Sequence, residues 1–346
     1  MTITCPVPLE EKQIITLAHG SGGKQTHRLL EEVFLPAFKN EHLDLLHDGA
    51  FLDLPTSQIV FTTDSFVVQP LFFPGGDIGK LAVTGTANDL AMCGAKPRYL
   101  SAGFILEEGI SIEELKRIVS SMEREAKLQS IEIVAGDTKV IERQTGKNLF
   151  INTSGIGTRM TNNPIGPLQI EEGDAILLSG DIGRHGIAVM AMRENFEFST
   201  PLESDCAPLF PLVEALLKEA ILVHAMRDLT RGGLATALVE MAESAQRNFL
   251  IEEEAISVSE GVESACEILG FDPHYVANEG RFIAFVSQDQ AALALQILQK
   301  FPDGENARLI GRAESKSGRA QAIIKNPFGT KRPLYRLVGD QLPRIC

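Results

Sequence analysis

Positive charge is scarce in this sequence, which has 32 Lys and Arg residues against 46 Asp and Glu residues and a formal net charge of −14. Nucleic acids and anionic membrane surfaces are bound by positively charged faces, so this balance argues against either as the main partner. It leaves room for a locally basic pocket that binds phosphate groups inside an acidic protein.

Long apolar runs and a secretory leader are also missing. No run approaches the ~20 apolar residues that a membrane helix needs, and the opening MTITCPVPLEEK has no basic segment followed by an apolar one. The five cysteines contain no CxxC pair, which indicates reduced thiols rather than a disulfide framework or a zinc site; they are Cys5, Cys93, Cys206, Cys266 and Cys346. We therefore expect a cytoplasmic protein without a membrane partner.

The length of 346 residues predicts two domains, because one hydrophobic core seldom grows beyond ~250–300 residues. Runs rich in β-branched residues alternate with amphipathic helices, which predicts an α/β or α+β fold. The stretch at 161–174 is rich in Pro, Gly and Asn and is the best candidate for a domain boundary. We expect four parts: an N-terminal segment (1–40), an N-terminal domain (41–160), a C-terminal α/β domain (161–330) and an extended tail (331–346).

The pattern also places individual elements. The residues before the boundary predict helices at 77–95 and 111–128, the second opened by a capping box of Ser111 and Glu114. Strands are predicted before the boundary at 58–68, 97–106, 131–141 and 148–160. After it, strands are predicted at 175–183, 281–287, 307–314 and 320–325, and helices near 184–193, 208–222, 229–245 and 289–300.

A Gly-rich segment, LAHGSGGKQT at 17–26, is the first candidate for a binding site. Consecutive glycines let backbone N–H groups approach phosphate oxygens, and a lysine adds a positive charge. The segment is not a Walker A loop, because Gln25 follows Lys24, and it is not a dinucleotide fingerprint, because Gln25 takes the third glycine position. In isolation it is more typical of a flexible loop. Its candidate phosphate-binding residues are Gly20, Gly22, Gly23 and Lys24.

Five aspartates stand beside glycine or other small residues; they are Asp48, Asp64, Asp89, Asp137 and Asp228. Magnesium prefers hard oxygen ligands, usually a few carboxylates together with the phosphates of a substrate. Each aspartate alone is more typical of a cap or a turn, but the set together with the Gly-rich segment favours a Mg–ATP site. Lys139 and Glu279 are further candidates, although either could be a surface charge at a strand edge.

These motifs form an ordered series, HDGA, TTDSF, NDLAMCGAKP, AGDTKV, DLTRGGL and NEGR. The series resembles the ATP-binding superfamily of aminoimidazole ribonucleotide synthetase, selenophosphate synthetase and thiamine-monophosphate kinase. With HGSGGK near the start and PRIC at the end, the chain is most similar to the hydrogenase-maturation branch, the HypE family of carbamoyl dehydratases, over about residues 17–346. The selenophosphate synthetases carry Cys or Sec in the Gly-rich segment, so GSGGK here argues against selenium chemistry.

The resemblance implies two α/β domains, the first of which contributes strands to a β-barrel shared across a homodimer. It implies ATP and Mg²⁺ as cofactors, with ATP between the domains and its phosphates under the Gly-rich segment. The implied magnesium ligands are Asp48, Asp89 and Asp228, although Gly49 stands where several relatives carry a second aspartate. The implied ATP-binding residues are Gly20, Gly22, Gly23, Lys24, Asp64, Asn88, Gly136, Asp137 and Thr138.

The resemblance also implies that Cys346 carries the substrate. A HypF-type carbamoyltransferase would donate a carbamoyl group to the thiol, and phosphorylation of the amide oxygen by ATP would let phosphate leave and give a thiocyanate. Glu279 is the first candidate for the base, with another carboxylate as the alternative, and Lys139 would stabilise the oxygen or phosphate. The cyanide would pass to the iron of a NiFe-hydrogenase held on a HypC–HypD-type scaffold.

Two other functions stay open on the sequence alone. A synthetase or kinase of the same superfamily would act on a small free substrate, and deletion of residues 341–346 would leave its turnover unaltered. A non-catalytic, nucleotide-gated adaptor would use the tail as a docking peptide, and the mass of Cys346 would never change.

Overall fold

The computed structural model describes residues 14–21, 23–45, 49–143, 148–194, 202–316 and 318–336. The strands are β1 (Ile59–Phe66), β2 (Phe72–Phe73), β3 (Gly76–Asp77), β4 (Ala95–Glu107), β5 (Glu132–Ile141), β6 (Leu149–Arg159), β7 (Ala175–Leu178), β8 (Val223–Asp228), β9 (Asn248–Glu252), β10 (Phe282–Val286), β11 (Arg308–Glu314), β12 (Ala322–Lys325) and β13 (Lys331–Pro333). The α-helices are α1 (Lys24–Leu29), α2 (Leu35–Ala37), α3 (Glu41–Asp44), α4 (Ile78–Met92), α5 (Ile112–Leu128), α6 (Arg184–Glu194), α7 (Phe210–Lys218), α8 (Gly233–Ala245), α9 (Glu260–Leu269) and α10 (Ala291–Leu298). No helix in these ranges has the length and apolar character to cross a membrane.

The first half is built on a four-stranded sheet in the order β1-β6-β4-β5, in which only β4 and β5 run parallel. Helices α4 and α5 supply buried side chains to the core on one face of this sheet. Asp77 begins α4, because its carboxylate accepts hydrogen bonds from the N–H groups of Gly79 at 2.8 Å and Lys80 at 3.0 Å. The predicted capping box of Ser111 and Glu114 is confirmed at the start of α5.

The opposite face of the first sheet is open. Strand residues alternate between the two faces of a sheet, and the positions that point away from α4 include Ile59, Phe61 and Ile105, which are 47%, 63% and 44% exposed. Asp137 and Lys139 lie on the same face, since their registers pair them with Gly103 and Ile105. The first sheet therefore presents apolar and charged side chains together.

The second half is built on a seven-stranded mixed sheet in the order β13-β12-β9-β11-β7-β10-β8. Helix α8 packs on one face, where Leu234 and Leu238 join the core around Phe285. Helices α7 and α10 pack on the other face, around Phe282. All four residues of β7 are buried, as expected for a strand covered on both faces.

The predicted α/β fold with two sheet-based halves is confirmed, but several regions differ from the predicted elements. The strand predicted at 175–183 ends at Leu178, and α1, which begins at Lys24 inside the segment expected to be a loop, was not predicted. The helix predicted near 208–222 ends at Lys218 and is followed by β8. The sequence pattern assigned no element to β9 or α9. Residues 331–336, placed in the extended tail, include β13, and Leu334 is only 4% exposed.

Candidate functional site

Three of the predicted aspartates gather where α4 meets β1 and the end of β8. Asp89 lies on α4, Asp64 on β1 and Asp228 is the last residue of β8. The Thr62 hydroxyl donates a hydrogen bond to Asp89 Oδ2 at 3.1 Å, and Arg231 Nη2 donates to Asp64 Oδ1 at 3.1 Å. We call Asp64, Asp89 and Asp228 the carboxylate cluster.

Burial and mutual repulsion set the protonation of the carboxylate cluster. Burial raises the pKa of Asp89 to about 7, and the negative charges of Asp228 and Asp64 add to the rise. Burial also raises the pKa of Asp228, and the charge of Asp64 acts in the same direction while Arg227 opposes it. The Asp89 carboxyl group, close to Asp228, opposes this rise.

The chemistry of the cluster fits a divalent cation. Carboxylate oxygens are the ligands that Mg²⁺ prefers, and the raised pKa values of Asp89 and Asp228 reflect burial and neighbouring negative charge, which a bound cation would neutralise. Among residues 14–336, less the gaps stated above, no group of three or more His, Cys, Asp or Glu side chains forms a ready-made metal site. The third predicted magnesium ligand, Asp48, lies outside the described residues.

Glu279 lies in the loop before β10, and its carboxylate approaches α4, the helix that carries Asp89. It is 4% exposed, and a Cβ atom built at Gly85 of α4 would lie 4.0 Å from Glu279 Oε2. Gly85 and Asp89 are four residues apart and therefore share one face of the helix. The structure thus brings the predicted base and one predicted magnesium ligand, Asp89, to one face of α4.

Asn88, a predicted ATP-binding residue, is buried and bonded to backbone groups. Its Nδ2 donates to the carbonyl oxygens of Ala207 at 3.1 Å and Glu279 at 3.3 Å, and its Oδ1 accepts from the Leu209 N–H at 2.8 Å. These bonds join α4 in the first half to two segments of the second half. Contact between Asn88 and ATP stays a prediction.

The remaining predicted residues form a second group on β5. The Gly-rich segment packs on this strand, because a Cβ atom at Gly20 would lie 2.7 Å from the Val140 nitrogen. Asp137 and Lys139 line a cavity of about 430 Å³ on the open face of the first sheet. On the helical face, Gly136, Asp137 and Thr138 also line an apolar cavity of about 90 Å³ with aromatic walls that include Phe34, Phe38 and Phe104.

The first sheet lies between the two groups. Asp64 points toward α4, whereas the adjacent Ser65 pairs with Asn152, which shares its face with Gly103 and Asp137. Lys24 is exposed at the start of α1, after Gly23. Gly22 and Cys346 lie outside the described residues, so their predicted roles stay predictions.

Two polar neighbours of the carboxylate cluster were missed from the sequence. Thr62 has a local signal, because the alternation in TTDSF puts it on the same face of β1 as Asp64. Arg231 stands in the quoted motif DLTRGGL, but nothing local indicates its partner, because Asp64 lies 167 residues away in the chain.

Comparison with known proteins gives two family-model matches. Residues 46–159 match the model described as AIR synthase related protein, N-terminal domain, and residues 171–322 match its C-terminal domain. A curated relative from Azotobacter vinelandii, carbamoyl dehydratase HypE, is 45% identical over 332 residues, covering 96% of this chain and 97% of the relative.

Solved structures give the same result. A crystal structure of the hydrogenase maturation protein HypE in complex with ATP is 45% identical and superposes with a TM-score of 0.92, covering 95% of this chain and 99% of the other. The HypE–HypF complex contains a chain that is 46% identical with a TM-score of 0.78, covering 89% of this chain and 99% of the other. Similarity therefore extends over both halves of the fold.

Proposed function

Because the chain belongs to the HypE family of carbamoyl dehydratases, we propose that it dehydrates a carbamoyl group carried on Cys346 in an ATP-dependent reaction. The product is a thiocyanate whose cyanide becomes a ligand of the NiFe-hydrogenase iron. The observation that carries the proposal is the position of the Glu279 carboxylate against the face of α4 that carries Asp89. A base and a cation site side by side suit the removal of oxygen from an amide by phosphorylation.

The reaction balances as two steps. ATP supplies the γ-phosphoryl group that converts the carboxamide oxygen, a poor leaving group, into a phosphate ester. The C–O bond then breaks, phosphate departs with the oxygen, and the nitrogen loses its two protons in all to give S–C≡N. One S-carboxamide and one ATP therefore yield one thiocyanate, one ADP and one phosphate.

Glu279 is the proposed base that takes a proton from the amide nitrogen. Its burial keeps water from competing for the same carboxylate, and a well-placed base contributes about 10²–10⁴-fold to such a step. Lys139 is proposed to stabilise the negative charge on the oxygen or phosphate. In one protomer Lys139 lies on the open face of the first sheet and Glu279 lies near α4, on the other face.

The proposed cofactors are ATP and Mg²⁺. Asp89 and Asp228, with Asp48, would hold the cation, and Asp64 would add negative charge beside them. The proposed nucleotide-binding residues are those of the Gly-rich segment and of β5, together with Asp64 and Asn88. The packing of Gly20 on Val140 supports a common site for the Gly-rich segment and β5.

Docking of the tail starts from a fixed point. Arg336 Nη2 bonds to Glu243 Oε2 at 2.6 Å and Leu334 is buried, so the chain is attached to the second half up to Arg336. Cys346 is the tenth residue after Arg336 in the sequence, and ten residues of extended chain span at most ~33–36 Å. That reach allows the thiol both to enter the site and to leave it for a partner.

The proposed partners follow from the reaction. The solved HypE–HypF complex supports a HypF-type carbamoyltransferase as the donor to Cys346. A HypC–HypD-type scaffold would receive the cyanide. We also propose a homodimer that joins two copies of the first sheet. Within each chain, the boundary between the two domains is proposed to lie inside 161–174.

The test is mass spectrometry of the C-terminal peptide. After carbamoylation by the transferase and addition of Mg–ATP, the peptide ending in Cys346 should lose the mass of one water. The Cys346→Ala chain should neither gain the carbamoyl group nor yield a cyanide donor. Productive ATP consumption and cyanide transfer by that variant would show that the tail does not carry the substrate.

A further inference from the structure

Asp205 is a buried carboxylate in the loop before α7, and it accepts hydrogen bonds from the peptide N–H groups of three residues in other segments. It is 4% exposed. Its Oδ1 accepts from the N–H groups of His185 at 3.0 Å and Glu279 at 3.4 Å, and its Oδ2 accepts from the N–H of Gly280 at 3.2 Å. Hydrogen bonds to a charged acceptor are stronger than neutral ones, so these contacts fix the peptides at Glu279 and Gly280.

The carbonyl side of Glu279 is held as well. Asn88 Nδ2 donates to the Glu279 carbonyl oxygen at 3.3 Å. The N–H and C=O of the same residue are therefore bonded to side chains from two different segments, the loop before α7 and helix α4. Because Asn88 immediately precedes Asp89, this contact also ties the backbone of the base to the helix that carries the cation site.

The two residues after Glu279 are closely packed and hydrogen-bonded. A Cβ atom at Gly280 would lie 1.9 Å from the Asp205 carbonyl oxygen, so only glycine permits this approach of the two chains. Arg281 is 3% exposed, and its Nη2 bonds to Asp181 Oδ1 at 2.7 Å. Arg281 Nη1 also donates to the Gly280 carbonyl oxygen at 2.8 Å.

We propose that Asp205 is a positioning residue for the reaction, with Asn88 as its counterpart: together they clamp the Glu279 peptide so that its carboxylate meets the amide nitrogen. This role rests on the proposed function of Glu279 as the base. A base must lie within ~2.6–3.2 Å of the proton it takes, and a displacement of about 1 Å can cost about 10²-fold in rate.

The test is a double-mutant cycle of Asp205→Asn and Glu279→Gln, read as the single-turnover rate of water loss from carbamoylated chain and as the ATP dissociation constant. Asp205→Asn keeps the shape but replaces one acceptor oxygen with an NH₂ group, so the rate should fall about 10- to 100-fold while ATP affinity changes less than about twofold. In the Glu279→Gln chain, already slower by about 10²–10⁴-fold, Asp205→Asn should change the residual rate less than about twofold, because it acts through Glu279.

Asp174→Asn is the matched control. Asp174 is 3% exposed, and its Oδ2 accepts from the Glu171 N–H at 2.8 Å and bonds to His224 Nδ1 at 2.7 Å, so it is a buried, hydrogen-bonded carboxylate in another part of the second half. A structural effect of losing a buried carboxylate should appear in both variants, and a positioning effect only in Asp205→Asn. The proposal would be overturned if Asp205→Asn and Asp174→Asn lost the same fraction of the single-turnover rate. It would also be overturned if Asp205→Asn slowed the wild-type chain and the Glu279→Gln chain by the same factor.

Two outcomes separate this role from the proposed function. If Glu279→Gln leaves the rate unaltered, the clamp has no base to position and the proposal is overturned, whereas loss of water from the Cys346 peptide would still support the dehydratase. If Asp205→Asn does not fold, Asn88→Ala takes its place in the cycle. Because Asn88 is itself a proposed nucleotide-binding residue, that cycle is read at saturating Mg–ATP: a non-additive rate loss supports the clamp, and additive losses contradict it.

Discussion

The ring of Phe66 lies against the backbone of Gly85, so close that a Cβ atom on Gly85 would be 2.8 Å from the ring. Phe66 ends β1, and Gly85 is in the middle of α4. This contact brings the strand of Asp64 against the helix of Asp89, and the Glu279 carboxylate lies at the same point of the helix. The glycine therefore sets the spacing of the candidate site.

We expect Gly85→Ala to destabilise the fold. The added methyl would overlap the Phe66 ring, and overpacking of this kind costs about 1–3 kcal/mol, more than the ~1 kcal/mol that alanine gains over glycine within a helix. Displacement of Phe66 or Glu279 should also slow the water-loss step. Urea denaturation and the single-turnover rate measure the two effects.

Gly261→Ala is the control for that substitution. Gly261 lies in α9, where the nearest atom to an added Cβ is a Leu202 methyl carbon at the ordinary distance of 3.9 Å. Alanine there should stabilise the chain by about 0.5–1 kcal/mol. Equal stability changes in the two variants would show that Phe66 and Gly85 can separate without cost.

The raised pKa of Asp89 predicts that the free energy of unfolding decreases as pH rises. Its ordinary value is 3.8 and its value in the fold is about 7, so the folded chain binds more protons than the unfolded chain between these two values. Stability is then lost as pH rises through that window. Asp89→Asn removes the titrating group. In the absence of Mg²⁺ and ATP, the free energy of unfolding of the variant relative to wild type should therefore increase by on the order of 2 kcal/mol between pH 5.5 and pH 8.

Urea denaturation of both chains at the two pH values measures this difference. Asp44→Asn, an exposed aspartate of α3, serves as the control and should follow the wild-type dependence. Identical pH dependence of wild type and Asp89→Asn would show that Asp89 does not carry excess charge in the folded chain.

Magnesium binding gives an independent prediction for the same residue. Asp89→Asn replaces an ionisable oxygen ligand with an amide, so Mg–ATP should bind about 10- to 100-fold more weakly while the far-UV spectrum stays unaltered. Isothermal titration calorimetry with and without Mg²⁺ checks it, again with Asp44→Asn for comparison. Unchanged nucleotide affinity would remove Asp89 from the cation site.

Local signals explain which parts of the fold were predictable. Helix α5 has a capping box and an apolar face, and both are visible within a few residues of sequence. Strand β8 was missed because five of its six residues are buried, which leaves no alternation to detect, and β9 is buried in the same way. Periodicity identifies a half-exposed element but not a strand in the middle of a covered sheet.

The site was predictable in part for a related reason. Asp64, Asp89 and Asp228 were found because each stands in a recognisable motif, and the fold brings them together. Asp205 lies in an unremarkable loop, and its contacts with Glu279 and Gly280 join residues 74 and 75 positions apart. Such positioning contacts have no local sequence pattern, and the folded arrangement is needed to see them.

The open face of the first sheet predicts an interface between two copies of the chain. Phe61 is 63% exposed beside Ile59, and Ile105 lies on the same face. Contiguous exposed apolar side chains of this kind mark interaction surfaces, and the proposed homodimer would bury them. A glutamate at Phe61 would place a desolvated charge in the contact, so Phe61→Glu should weaken dimerisation by about 100-fold or more.

Light scattering after size exclusion, over a dilution series, measures the dimerisation constant. Ile268→Glu is the matched control, because Ile268 is 77% exposed on α9 in the second half, away from the first sheet. That variant should remain dimeric, whereas Phe61→Glu should be monomeric at concentrations where wild type is not. If wild type and Phe61→Glu have the same dimerisation constant, the open sheet face is not the contact, and the exposed apolar side chains of β1 must serve another partner.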